Sequence, residues 1–412
     1  MIRFKTLFFI LSLFFLTTTF AQNKKIIDQS QSAVIKEWTF LVFVNGHNNL
    51  SPFATENIID MEKVGSSDEV NVLVEWGSAT SNITKRLYIE KSKNPAKVTS
   101  PSLMEMKNYD MGNYKNLQEF IRWGVEKYPA KHYFISVWNH GAGWHKNAFS
   151  PFSFKPTDIS FDDNTGNLIT TEQMGLVMAE SKKIIGHNVD IYGSDACLMQ
   201  MLEVAGEMKE STDYFVGSQE NEPGEGWPYL PFLKKWTANP KMTPAEISVL
   251  LSKEYAAAYA EGGIYATDGP VTGITFSAWD MSKLDGVYTA LIDFGRNLNT
   301  LSATDLKSVK QAAKITQRFS KEDYADLGDF LKNTRNLNLP AIEPLVLDNL
   351  EARLNDLVLT TDNNQIEFAK ATGVSVWLPI LKNTYQARYN KLQFSLATGW
   401  NIFTNRLATS GN

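Results

Sequence analysis

Residues 132–141 read HYFISVWNHG: an apolar run, His132 to Trp138, broken at once by Asn139, His140 and Gly141. A run that is apolar throughout, instead of alternating, belongs to a strand covered on both faces, as in a parallel sheet sandwiched by helices. Upstream, the spacing of Leu117, Phe120, Ile121 and Val125 predicts a helix over about Tyr114 to Tyr128. Before it stand the buried strands Trp38 to Val44 (WTFLVFV) and Val70 to Trp76 (VNVLVEW), a helix-like stretch around Pro52 to Val64, and a hairpin near Lys85 to Lys91. The first strand runs into the loop Asn45, Gly46, His47, Asn48, Asn49. Downstream, the pattern predicts a helix over Thr171 to Lys183, a strand Val189 to Cys197 (VDIYGSDAC), a helix Leu198 to Lys209 and a strand Tyr214 to Ser218. Residues 234–412 continue the alternation, with a helix near Pro244 to Ala260 and strands near Gly273 to Ala278 and Val374 to Leu378. The fold class is α/β, a mostly parallel central sheet with helices on both faces.

The 412 residues, 43% apolar and 21% charged, have the composition of an ordinary globular protein large enough for a sizeable core. Arg3 and Lys5, an apolar run from Leu7 to Leu16 and the small Ala21 before Gln22 have the form of an export signal, its apolar part too short to span a bilayer comfortably. Residues 22–36 are polar and aperiodic, a linker. The expectation is an exported protein, periplasmic or secreted, without stable membrane insertion once the signal is cut. Losing residues 1–21 removes Arg3 and Lys5 and no acid, taking the net charge from −5 to −7 and arguing against nucleic acid as a partner.

In doubly wound sheets the chemistry lies at the carboxyl ends of the strands. Asn139-His140-Gly141 ends one strand and Ser194-Asp195-Ala196-Cys197 ends another, and Cys197 is the chain's single cysteine. One thiol cannot form an internal disulfide. It is either a buried, inert side chain or a nucleophile, for which a nearby imidazole would lower the thiol pKa and return a proton to the leaving amine. Gly141 and Cys197 would offer backbone N–H groups to an oxyanion. His140 precedes Cys197 by 57 residues, comparable to the His-to-Cys interval of caspases. Asp162, Asp163, Asn164 and Gly166 form an acidic turn that fits either part of a calcium loop or an Asx-rich hairpin. His132, His145 and His187 have no partner at zinc spacing, so the sequence names no metal ligand. Trp138, Trp144 and Trp227 fit core packing better than a substrate groove.

YPAKHYFISVWNHGAGW (128–144), DACLMQMLEVAGEM (195–208) and SQENEPGEGWPY (218–229) closely resemble the blocks around the catalytic His and Cys of clostripain-type cysteine peptidases. The resemblance implies a caspase-like αβα sandwich with its peptidase core over residues 37–280 and a C-terminal helical and strand extension over 281–412. It makes Cys197 the nucleophile and His140 the acid/base in an endopeptidase of protein or peptide substrates. The polar loop at Asn45 and His47 departs from the pattern, and His47 reads as a loop hydrogen-bonder. Strand alternation places Asp195 on the same face as Cys197, where the matching caspase residue lines the pocket for the residue before the cut. An acid there favours Arg, then Lys, with Glu220 or Glu225 as a second acid. Clostripain's dependence on calcium keeps calcium open, although the sequence requires no cofactor. Related peptidases cut themselves between the His and Cys strands, which makes Lys146 and Lys155 candidates. Two other readings stay open: a catalytically silent binding module, and a thiol amidase or transpeptidase acting on cell-wall peptides.

Overall fold

In a computed structural model, residues 35–94, 96–145, 158–267, 269, 271–363, 366–382 and 386–410 are described. They belong to one compact unit, Val34–Asn412. Residues 1–21, expected to be an export signal, most of residues 22–36, and Lys146 and Lys155 lie outside the described residues.

The chain begins β1 (Lys36–Gly46), α1 (Ser51–Glu62), β2 (Val70–Ser78), β3 (Ile83–Tyr88), β4 (Ser102–Lys107), α2 (Tyr114–Lys127) and β5 (Ala130–Trp138). It continues through α3 (Thr171–Ile185), β6 (Val189–Asp195), α4 (Leu202–Met208), β7 (Thr212–Gly217), α5 (Tyr229–Ala238), α6 (Pro244–Tyr259) and β8 (Thr275–Asp280). Then follow α7 (Leu284–Thr300), α8 (Ala303–Ile315), β9 (Tyr324–Asp326), α9 (Leu327–Arg335), α10 (Pro344–Leu357), β10 (Val358–Asn363), β11 (Ser375–Trp377), α11 (Gln393–Thr398) and α12 (Trp400–Thr409).

Among the described residues, nine strands form one sheet in the order β10-β8-β7-β6-β5-β1-β2-β3-β4. The five central strands pair in parallel and the flanking pairs are antiparallel. Alternate side chains of these strands feed two cores. Leu41, Ile135 and Tyr192 pack in one with α2, α3, α4 and the later helices. Phe40, Phe134 and Ile191 pack in the other against α1, α5 and α6. The continuous apolar runs of the sequence are thus strands with an oily partner on each face, as parallel strands require. Trp138, Trp144 and Trp227 are buried in these cores.

Four local expectations change. The hairpin near Lys85–Lys91 is β3 paired with β4, whose first strand ends at Tyr88 and whose second begins only at Ser102. The helix expected from Leu198 starts at Leu202, because Leu198 takes a left-handed φ of +64°, which no helix accepts. The late strand, β11, pairs with β9 in a separate two-stranded sheet. The edge strand β10, VLTTDN, is one that periodicity does not reveal.

Candidate functional site

Chain order fixes where the loops meet. From β1 the chain moves to one side of the sheet through β2, then returns to β1's other flank as β5, so the strand order reverses at the β1–β5 boundary, where α/β sheets place ligands. The loops after β1, β5 and β6 converge there. Trp138 pairs with Asp195 across β5 and β6, and the Asn139 N–H donates to the Asp195 carbonyl at 3.1 Å. His140 and Cys197 each stand two residues beyond that pair, on neighbouring strand ends.

The β5 loop is locked by its neighbours. Asn139 donates through Nδ2 to the Asn45 carbonyl at 2.5 Å and accepts from the Phe161 N–H at 2.9 Å. Gly141 bridges Ile159 on one side. On the other, a Cβ at residue 141 would lie 2.4 Å from the Cys197 carbonyl oxygen, an approach only glycine allows. His140 Nε2 lies 2.8 Å from Asn49 Oδ1. An amide oxygen only accepts, so this contact suits the tautomer with its proton on Nε2. His47 pairs through Nδ1 with Asp162 at 2.8 Å, both buried, so it braces the loop as expected.

Cys197 follows the last residue of β6 by two and is half-buried. Its Sγ accepts from the Glu222 N–H at 3.3 Å. Burial pushes the thiol above its ordinary pKa, opposed by the Glu222 and Gly141 N–H groups and reinforced by the nearby Glu220 charge. The left-handed backbone at Leu198, right after the thiol, turns the chain sharply out of the sheet.

Asp195 does not share the thiol's face through strand alternation, because β6 ends at Asp195 and the i, i+2 rule stops there. The Asp195 carboxylate accepts from Tyr229 Oη at 2.7 Å and the Trp227 N–H at 3.4 Å, within the core of α1, α5 and α6. Cys197 packs against the opposite core. Glu222 links the two: its N–H meets the thiol while its carboxyl group lies against that of Asp195. Neither Glu222 oxygen has a hydrogen bond of ordinary geometry, although both are buried. Burial pushes Asp195 up to about 6. Burial and the Asp195 charge hold Glu222 well above the usual carboxylate range. Gly226, at φ +63°, makes room, since a Cβ there would lie 2.7 Å from Asp195 Oδ1.

Glu220 is buried and its carboxylate accepts from the Asn221 N–H and the Ser320 N–H, each at 2.7 Å. Glu225 lines a cavity of about 250 Å³ with Glu56, Asn57, Ile59, Asp60, Lys63 and Tyr265. Asn49 and Glu222 are the residues that sequence reasoning missed. The acidic turn does not fit calcium: Asp162 Oδ1 accepts from the Asn164 and Thr165 N–H groups, and Oδ2 from the Met111 N–H and His47, leaving an Asx turn with both oxygens engaged. No group of three or more His, Cys, Asp or Glu among the described residues could hold a metal.

The family model described as the clostripain family matches residues 42–406. A secreted C11 cysteine protease from Bacteroides thetaiotaomicron, in complex with an irreversible peptide inhibitor, has 20% identity and a TM-score of 0.68, covering 89% of this chain and 99% of that one. A second structure of a secreted C11 cysteine protease from Bacteroides thetaiotaomicron, "iotapain", has 17% identity and a TM-score of 0.65, with the same coverage. An inactive zymogen C11 protease from Parabacteroides distasonis has 15% identity and a TM-score of 0.65, again covering 89% and 99%. No curated protein matches. The architecture is the expected caspase-like sandwich with a mostly parallel sheet.

Proposed function

The chain belongs to the clostripain family of cysteine peptidases, and on that premise we propose that it is an exported endopeptidase cutting after Arg, then Lys, with Cys197 as nucleophile and His140 as acid/base. The observation that carries the specificity is the buried pair Asp195 and Glu222, the second of which meets the thiol through its N–H, two facing acids with no cation between them among the described residues. Two facing carboxyls in a low dielectric repel, so one keeps its proton until a positive charge enters. An arginine side chain supplies that charge together with donors for the Glu222 oxygens. Asp195 is then the acid named from the sequence, with Glu222 as its second charge. Glu220 braces the loop and Glu225 faces the neighbouring cavity.

Burial keeps Cys197 protonated at rest, so attack on the scissile carbonyl begins with transfer of the Sγ proton to His140. Asn49 holds the imidazole in the tautomer whose Nδ1 takes it. As the tetrahedral oxyanion forms, the N–H groups of Gly141 and Cys197 stabilise it, and the imidazolium gives its proton to the leaving amine. Water then releases the acyl group from sulfur. No calcium enters this sequence of steps. Export rests on the form of residues 1–21; two relatives are described as secreted, and no helix among the described residues is long and apolar enough to cross a membrane.

A peptide library varied at the residue before the cut tests the reading. Cleavage concentrated after Arg and Lys supports it, whereas preference for Asp or an apolar residue would remove the cation pocket. Transfer to amines of cell-wall peptides without hydrolysis would point to a transpeptidase.

A further inference from the structure

Two consecutive residues far along the chain touch both sides of the site. Ser320 N–H donates to Glu220 Oε2 at 2.7 Å, its hydroxyl also bonds the Glu220 carboxylate, and Asn221 Nδ2 donates to Ser320 Oγ at 2.8 Å. These contacts land on the loop whose Glu222 N–H meets the thiol and whose Glu220 carbonyl accepts from the Leu198 N–H at 3.0 Å. Lys321, next in sequence, is buried and faces the other way. Its Nζ donates to the Ala142 carbonyl at 2.6 Å and to the His145 carbonyl, and lies 5.3 Å from the centre of the Tyr324 ring. Tyr324 Oη donates to the same Ala142 carbonyl at 2.8 Å and accepts from the His145 N–H at 3.4 Å. Ala142 follows the Gly141 that presses against the Cys197 carbonyl, and its own N–H is bonded to Asp158 at 2.9 Å.

A buried amine is expensive unless its donors are satisfied; burial lowers Lys321 to about 7, and its Nζ gives its donors to the two carbonyls that close the histidine loop. The arrangement looks inefficient as mere packing, since an apolar side chain would fill the same space without desolvating a charge. It makes sense if the distance between the two loops matters. Oxyanion stabilisation depends on donors held where charge develops, and small displacements of such groups are costly to rate.

We infer that Ser320 and Lys321, with Tyr324, form a clasp that sets the spacing between the His140–Gly141 loop and the Cys197–Glu222 loop, and are positioning residues for the peptidase reaction. They act through Ala142 and Glu220. The inference rests on the peptidase reading above, and the residues beyond β8 thereby become part of the catalytic apparatus.

The test combines Lys321→Met with Tyr324→Phe, which removes one hydroxyl and keeps the ring, and Ser320→Ala. Active sites are titrated with an irreversible peptide inhibitor, so that loss of folded protein is separated from loss of rate per site. Expected in Lys321→Met is a fall in kcat per titrated site of about 10- to 100-fold, with KM changed by less than about 3-fold, the signature of displaced transition-state groups. Tyr324→Phe and Ser320→Ala should each show a smaller fall of the same kind. Amide exchange read over residues 138–145 and 218–222 should quicken in both segments in Lys321→Met and Tyr324→Phe. Unchanged kcat per site in all three variants, or unchanged exchange in both segments, overturns the clasp. A wild-type protein that neither cleaves peptides nor takes the inhibitor would overturn the peptidase reading instead, and the exchange measurement would still decide the clasp.

Discussion

At the scale of single residues, specificity turns on which acids lie near the thiol. The polar breaks after β5 and β6 made His140, Gly141 and Cys197 readable, because the apolar runs of both strands give way there to loops at the carboxyl edge of the sheet. Glu222 was not readable: it sits in QENEPGEG beside Glu220 and Glu225, and only the fold of residues 218–227 decides which carboxyl meets Asp195. Asn49 was hidden likewise among the polar residues of the first loop, since its partner lies 91 positions away. Asp195→Asn should cost about 2 to 4 kcal/mol in kcat/KM on Arg substrates and much less on a neutral residue there, as for truncating one member of a buried charge pair; equal losses on both would make Asp195 a strand cap. The ratio of kcat/KM for an Arg substrate over a neutral one removes the titration of Cys197 and His140 from the comparison. Asp195 is pushed up to about 6 and binds a cation only when ionised, so this ratio should climb as pH rises through about 6. A ratio flat from pH 5 to pH 8 would contradict the pair.

At the scale of elements, the helices read over Thr171 to Lys183 and near Pro244 to Ala260 form, whereas the start of α4 depends on a turn that periodicity does not show. α3 and α6 are capped by Thr170 and Thr243, with Gln173 and Glu246 three residues on, and both capping boxes form. α4 has no side-chain cap, and its start is delayed by the left-handed Leu198, a cost accepted at the site. It carries Glu203, fully buried, which accepts from the Trp377 N–H of β11 and from Tyr389 Oη, each at 2.9 Å. Burial pushes Glu203 up to about 7 from an ordinary value near 4.5. Between those values the unfolded chain has released a proton that the folded chain keeps, so unfolding releases protons and stability falls as pH rises from about 4.5 to about 7. Glu203→Gln keeps an acceptor and removes this dependence, and should be more stable than wild type at pH 8 by up to about 3 kcal/mol in chemical denaturation, the two converging near pH 4. A difference independent of pH would be inconsistent with a buried carboxyl there. Arg388 joins Asp158, Glu172 and the Trp144 carbonyl. Arg388→Ala leaves the buried Asp158 without its cation and should lower stability at pH 8 by about 2 to 4 kcal/mol in the same assay.

At the scale of the whole molecule, alternation of strand and helix sufficed for the αβα architecture, because the periodicity of apolar residues reports burial on both sheet faces. It could not reveal how far the late chain enters that architecture. β10 has four polar residues in six, as an edge strand allows, and β9 and β11 are three residues each, too short for any period to show. One core runs from Leu41 of β1 to Leu407 of α12, and β10 completes the sheet beside β8. A chain truncated after Asp280 would expose the inner face of α4 and the edge of β8, and should show no cooperative thermal transition; a sharp transition would make the late chain a separate addition. The central claim, a thiol peptidase built at the ends of β5 and β6, is tested most directly by Cys197→Ala on an arginine peptide that the wild type cleaves. Expected is no hydrolysis above background at a melting temperature within about 3 °C of wild type, since a half-buried thiol at a loop contributes little to the core. Hydrolysis by Cys197→Ala at the wild-type rate would contradict it.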